Sequence, residues 1–239
     1  MRAYTHYEPW EGNEWNPGLL PKVTTVPHEG DQLALREDIA AAREQADLVI
    51  ASFHWGDFTR PMVLTDHERR TARLAVDAGA DVVLGHHHHL LRGVEHYRGK
   101  PIFYGLGHFV FDLPDFENRL ARDAYLGRGD AAEVRASTQR FGEYRIGPRD
   151  GYPLLPFHEE GRLTGIATVT GDGDRLRAQF LPCVLGPDNR PRPAADSETA
   201  AVVGDYLQRC CDEEDLPTTV HVAPGDERRP WLLDFENTD

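Results

Sequence analysis

The chain has 239 residues, 40% of them hydrophobic and 28% charged, with a formal net charge of -14. That length can bury its own core, and the acidic balance argues against a nucleic-acid footprint, which needs clustered Lys and Arg. Cys183 and the adjacent Cys210 and Cys211 are an odd set read as free buried thiols rather than a disulfide framework. No run approaches the roughly 18 apolar residues of a membrane span, and Met1-Arg2-Ala3-Tyr4 opens no signal-peptide pattern; the compartment stays open.

Residues 1 to 30, rich in Pro, Gly, Trp and Glu, show no period and read as an irregular segment packed on a body. Asp31 is placed as the cap of a helix to about Gln45, with Leu35, Ile39, Ala42 and Ala46 along its buried stripe. The run from Asp47 to Phe53 is almost wholly apolar and reads as a buried strand. It delivers His54 to its carboxyl end, the side on which ligand sites of open α/β sheets gather.

Thr65-Asp66-His67-Glu68 is a capping box that opens a helix through Ala72, Leu74, Ala75 and Ala78, with His67 toward solvent and Gly79 as the stop. Asp81-Val82-Val83-Leu84 is a second buried strand, and Gly85 followed by His86, His87, His88 and His89 sits at its end. This βα layout, with functional groups on one edge, predicts parallel pairing. Lys100 to Tyr104 is a third strand, ending in Gly105-Leu106-Gly107 ahead of His108, and Phe109-Val110-Phe111 is a candidate fourth.

From Leu113 to about Phe157 the pattern weakens into a long surface excursion or lid, with Ala121 to Leu126 as a helical candidate. Arg162 to Thr170 and Arg175 to Leu185 alternate around Gly171-Asp172-Gly173-Asp174 as a β-hairpin. A helix from about Glu198 to Asp212, capped by Ser197 or its neighbour, turns Val202, Val203, Tyr206 and Leu207 inward. The tail from Leu216 is polar, with Pro230-Trp231-Leu232-Leu233 as a docking edge. Residues 1–185 are read as one domain, with the helix and tail of 186–239 packed on it.

Neutral imidazole suits Zn, Mn, Fe and Ni, and ligands one residue apart can reach one ion from a strand end. His87-x-His89 or His86-x-His88, together with His54, supply three such nitrogens, against the plainer reading of His54 as a satisfied histidine and of the tetrad as a polar loop. Asp57, Glu95 and Asp112 are the carboxylates available to support ring N–H groups, each weighed against a solvated charge. No Asp-x-His, Gly-Asp or Gly-Asn-His motif stands ahead of His54, and there is no G-x-S-x-G elbow or Walker-type loop.

Three ordered stretches resemble the CapA family of capsule and poly-γ-glutamate synthesis proteins, whose fold is related to the calcineurin-like metallophosphatases. They are Ala46 to Gly56, Ala78 to His89, and Gly99 to Asp112, with a weaker likeness from about residue 1 to Leu185. The resemblance implies an α/β fold, part of a two-sheet sandwich flanked by helices. It also implies a divalent metal centre of Mn, Fe or Zn, dinuclear in a complete member, with His54, His87 and His89 as matching ligands. His86 and His88 rank lower because the family varies or carries proline there. Gly105-Leu106-Gly107-His108-Phe109 stands where the family pattern has Ser-Leu-Gly-Asn-Phe, which makes His108 an added candidate. The family's N-terminal half, with its Asp, Gly-Asp and Asn-His ligands, has no counterpart, so the chain is expected to represent the C-terminal half.

Two functions follow as expectations. The first is a metal-dependent hydrolase of an anionic polymer or phosphoester, with His54 or His108 serving the proton transfers and a separately encoded N-terminal half or a second copy as partner. The second is a non-catalytic CapA-like subunit that binds a polymer or a biosynthetic partner.

Overall fold

The computed structural model describes residues 2–8, 22–57, 60–110, 151–152, 159–172 and 175–238. The part that positions the histidines is a four-stranded sheet ordered β3-β4-β6-β5. Its members are β3 (Ile50–His54), β4 (Val82–His86), β5 (Val94–Tyr97) and β6 (Lys100–Phe103). β3, β4 and β6 are parallel, in the register Ile50↔Val82, His54↔His86 and Val83↔Ile102. The predicted parallel unit is therefore present, and its crossover is helix α2 (Asp66–Asp77). Thr65 and Glu68 form the expected capping box, and Gly79 carries the chain away from the helix at φ +115°.

β5 escaped the sequence reading. It pairs antiparallel with β6 across Arg98 and Gly99, at φ +51° and +74°, the paired left-handed turn that matches hairpin twist. Glu95 and His96 interrupt its apolar run; Glu95 is nonetheless buried, because Arg73 and the Tyr104 hydroxyl take its oxygens at 2.7 and 2.6 Å.

A second sheet is ordered β10-β11-β8-β7, with β9 (Pro191–Pro193) on β8. β7 (Leu163–Asp172) and β8 (Arg175–Leu185) are the predicted hairpin. The tail does more than dock: it supplies both β10 (Thr218–Pro224) and β11 (Trp231–Asn237), and β11 pairs with β8 at Leu233↔Phe180. The last helix, α3 (Ser197–Glu213), is capped by Asp196 and buries Val203, Tyr206 and Leu207, whereas Val202 is exposed.

Two apolar layers hold these elements. Ile39 of α1 (Glu29–Arg43), with Ala72, Ala75 and Val76 of α2, packs on Val83, Ile102 and Tyr104. On the other side Leu91, Val94 and Phe103 meet Phe180 and Leu233 of the second sheet and Val203 and Leu207 of α3. The result is an α/β sandwich of two sheets with helices against them, as anticipated. All three cysteines are free and buried, and no helix among the described residues is long and apolar enough to cross a membrane.

Five expectations are corrected. Residues 3–8 and 22–27 are not irregular: β1 (Ala3–Glu8) and β2 (Lys22–Pro27) form an antiparallel ladder. β2 ties down the start of α2, since the Thr25 hydroxyl accepts from the His67 backbone at 3.0 Å and Asp66 accepts from the Thr25 backbone. His67 is accordingly half-buried instead of solvent-facing. α1 starts at Glu29 with His28 as its cap, because Asp31 is engaged by Arg2 at 2.7 Å. Among the described residues β3 is an edge strand, not a buried one, with Ile50 53% exposed. Phe109 and Val110 form no strand; Phe111, the excursion as far as Asp150 and the hairpin tip at Gly173-Asp174 lie outside the described residues.

Candidate functional site

β3 and β4 end side by side, and the chain that leaves each is fixed by backbone contacts. The Trp55 backbone donates to His86 O at 3.2 Å and its indole to Tyr104 O at 3.1 Å. Gly85 is required at this junction, since a Cβ there would press into the Tyr104 carbonyl and the Trp55 indole. Leu106 donates to Gly85 O at 3.2 Å and Arg92 to Gly105 O at 3.0 Å, which carries His108 back beside the tetrad.

The imidazoles that result form a row. His54 Nε2 and His87 Nδ1 are 2.9 Å apart, with ring centres at 4.6 Å. The His89 ring lies 6.3 Å beyond His87, and His108 stacks on His89 at 4.8 Å. The structure thus brings together His54, His87, His89 and His108. His54 is exposed, His87 and His89 are half-buried and His108 is buried.

The other two members of the tetrad go elsewhere. His86 is exposed and its Nε2 meets the Ser52 hydroxyl at 3.1 Å. His88 is wholly buried, with Nε2 at 2.7 Å from Glu68 Oε1, also wholly buried. This split is enforced by the backbone. His87 and His89 sit at φ +102° and +60°, a region that non-glycine residues occupy only when the surroundings over-determine it.

Burial disfavours the charged form of the three inner rings, His87, His89 and His108. It lowers the affinity of His87 for a proton, with His54 adding to the effect and Asp57 opposing it. Burial likewise brings His89 down to about 4, helped by His87, and His108 down to about 3, helped by His89. At Glu68 burial pushes upward, but hydrogen bonds from His88 and Thr65 more than offset it and hold the carboxyl below its ordinary range. His88 is lowered by burial against the pull of Glu68, so a neutral ring donates Nε2–H to a carboxylate.

Of the supporting carboxylates anticipated, Asp57 acts on His87 through space, and its backbone carbonyl accepts from Arg92. Glu95 does not serve a histidine of the row; Arg73 and Tyr104 hold it. Asp112 lies outside the described residues. Two residues were missed. Arg92, fully buried, donates to the carbonyls of Asp57 at 3.0 Å and Arg60 at 2.7 Å and so pins the chain leaving His54. A lone Arg inside Leu90-Leu91-Arg92-Gly93-Val94 was the available signal. Glu68 was recognised only as a cap.

The donors suit a divalent ion in part. Two nitrogens bound at about 2.1 Å and at right angles to each other stand about 3 Å apart, the spacing of His54 and His87. His89 continues the row with the same donor chemistry at a longer step. Among the described residues no three His, Cys, Asp or Glu side chains close into a group ready to hold an ion.

The sequence that carries this row is similar to known proteins. Residues 3–113 match the profile of the family described as bacterial capsule synthesis protein PGA_cap. These residues belong to the CapA family. The PGA biosynthesis protein CapA of Bacillus subtilis is 45% identical over 97 residues, which cover 40% of this chain and 23% of that protein. The capsule biosynthesis protein CapA of Bacillus anthracis is 44% identical over 69 residues, 28% of this chain and 16% of that protein. A probable polyglutamine synthesis accessory protein of Mycobacterium tuberculosis is 34% identical over 106 residues, 44% of this chain and 27% of that protein. The matched part is therefore about a quarter or less of these relatives, and the profile match over residues 3–113 contains the whole imidazole row.

Proposed function

We propose that this chain acts in poly-γ-glutamate or capsule metabolism as a metal-dependent hydrolase of metallophosphatase type, its histidine row being one half of a dinuclear centre. The observation that carries this reading is the 2.9 Å approach of His54 Nε2 to His87 Nδ1 across the ends of two parallel strands. The family's association with capsule synthesis supplies the substrate class, an anionic polymer or a phosphoester.

His54 and His87 would hold the ion together, and His89 would join from the next place in the row. A divalent ion bound there polarises a phosphoryl or amide group and acidifies a water. The chain's own residues do the rest. Arg92 and Trp55 keep the segment after His54 in place, and the strained backbone fixes the angle of His87 and His89. His108, buried behind His89 and neutral, shields the inner end of the row from water.

The test is bound-metal analysis of the purified chain with His54→Ala and His87→Ala, followed by assays on a generic phosphodiester and on poly-γ-glutamate. Metal that falls in both variants, with hydrolysis that falls in step, supports the reading. Metal content unchanged in both overturns it.

A second reading, a non-catalytic subunit that binds a polymer or biosynthetic partner, is favoured by a separate observation: no closed donor group exists among the described residues. Polymer binding that survives chelation, in a chain without hydrolytic activity, would select it.

A further inference from the structure

His86 ends β4, and His87 to His89 continue without regular structure, so something outside the run must decide which rings join the row. His88 is the one member of the four with a side chain wholly out of solvent, and among the described residues its ring bonds to Glu68, at 2.7 Å. The second oxygen of Glu68 accepts from both the backbone and the hydroxyl of Thr65, each at 2.6 Å. One carboxylate therefore joins the first turn of α2 to the histidine run. The pocket is shaped for this pair. A Cβ at Gly56 would strike His88 Nε2 and Glu68 Oε1, and one at Gly105 would come within 3.0 Å of His88 Nδ1. The strained φ values fall on His87 and His89, the two residues that flank the anchor.

We propose that Glu68 and His88 are positioning residues for the site: their buried hydrogen bond anchors the centre of the run and thereby holds the backbone of His87 and His89 in the left-handed conformation that turns both rings into the row. A buried, charge-assisted bond is strong and directional, which is what a backbone held at φ +102° requires. The same bond takes up His88 Nε2, while Nδ1 has no hydrogen-bond partner among the described residues. The inference rests on the reading of His54 and His87 as ligands only where metal affinity is measured; the ring geometry can be tested without metal.

The experiment uses the full chain labelled with 15N at histidine, in metal-free form and then titrated with Co2+. The variants are Glu68→Ala, Glu68→Gln, which keeps an oxygen to accept from His88, and Thr65→Ala, which removes the hydroxyl contacts to Glu68 and His67 but leaves the bond from Glu68 to His88. The imidazole resonances of His54 and His87 are expected to shift in Glu68→Ala, to return in Glu68→Gln and to stay in place in Thr65→Ala. Co2+ affinity is expected to fall about 10- to 100-fold in Glu68→Ala only, the usual range for outer partners of ligating histidines. If Glu68→Ala does not fold, His88→Asn breaks the link from the other side. Unmoved His54 and His87 resonances in a folded Glu68→Ala or His88→Asn overturn the proposal. Wild-type protein that binds no Co2+, yet shows the resonance changes, keeps the anchor and rejects the metal reading instead.

Discussion

His54 Nε2 faces His87 Nδ1 at 2.9 Å, yet the two residues are 33 positions apart and sit on different strands. The pair exists because β3 and β4 are parallel and in a register that sets His54 opposite His86, so the residue after His86 must fold back to reach it. A φ of +102° at His87 accomplishes that.

A backbone of this kind stores strain that glycine would release. His87→Gly should be more stable than His87→Ala by about 1 kcal/mol, the strain of a left-handed alanine outweighing the flexibility glycine adds to the unfolded chain. At His88, where φ is not positive, the order should reverse. Denaturant unfolding of the four variants checks this, and His87→Ala at least as stable as His87→Gly would remove the strain from the account.

Acid should weaken the metal-free fold through the buried rings. Histidine in an unfolded chain takes a proton from about pH 6.5 downward, while burial keeps His89 neutral to about 4 and His108 to about 3. Between these limits the unfolded state binds more protons, so stability falls as pH falls, by at most about 1.4 kcal/mol per pH unit for each ring. Urea midpoints at pH 7, 6 and 5 should drop less steeply in His108→Gln than in the wild type. Equal slopes would mean that His108 is protonated as readily in the folded chain.

Arg92→Met should loosen the mouth of the site. Met keeps the apolar stem but leaves the carbonyls of Asp57 and Arg60 without the donor they have at 3.0 and 2.7 Å, which costs about 2 kcal/mol. Amide exchange in the segment after Trp55 should quicken while that in α3 changes only with global stability. Uniform acceleration throughout the chain would count against a local role.

How much of this was legible in the chain depended on the range of each signal. The capping box at Thr65 and Glu68, the buried strand at Val82 to Leu84 and the placing of His54 at a strand end are local patterns, and they stand in the structure. The bond from Glu68 to His88 spans 20 residues, and nothing in a helix-capping motif says that its second oxygen has another partner. Ile50 reads as buried because its neighbours are apolar; it is exposed because, among the described residues, β3 has no strand on its outer side. Val23 to Val26 is a β-branched run, but it lies in a segment whose Pro and Gly content hid the ladder with residues 3 to 8.

That open edge has its own consequence. Leu48 and Ile50 face Phe109, Val110 and Ile166 across an apolar cleft of about 600 Å³, and unpaired edges of this kind promote association. Ile50→Lys should reduce the sedimentation-detected aggregate at high concentration with little change in thermal midpoint. Aggregation that is unaffected would place the sticky surface elsewhere.

The imidazole row is proposed to bind a divalent ion through His54 and His87. Calorimetric titration of Zn2+ or Mn2+ into the wild type, His54→Ala, His87→Ala and, as a control outside the row, His221→Ala tests it most directly. Binding is expected in the wild type and in His221→Ala, with affinity lower by at least about tenfold in both site variants, since each loses one of the paired nitrogens. Equal affinity in all four proteins would contradict it.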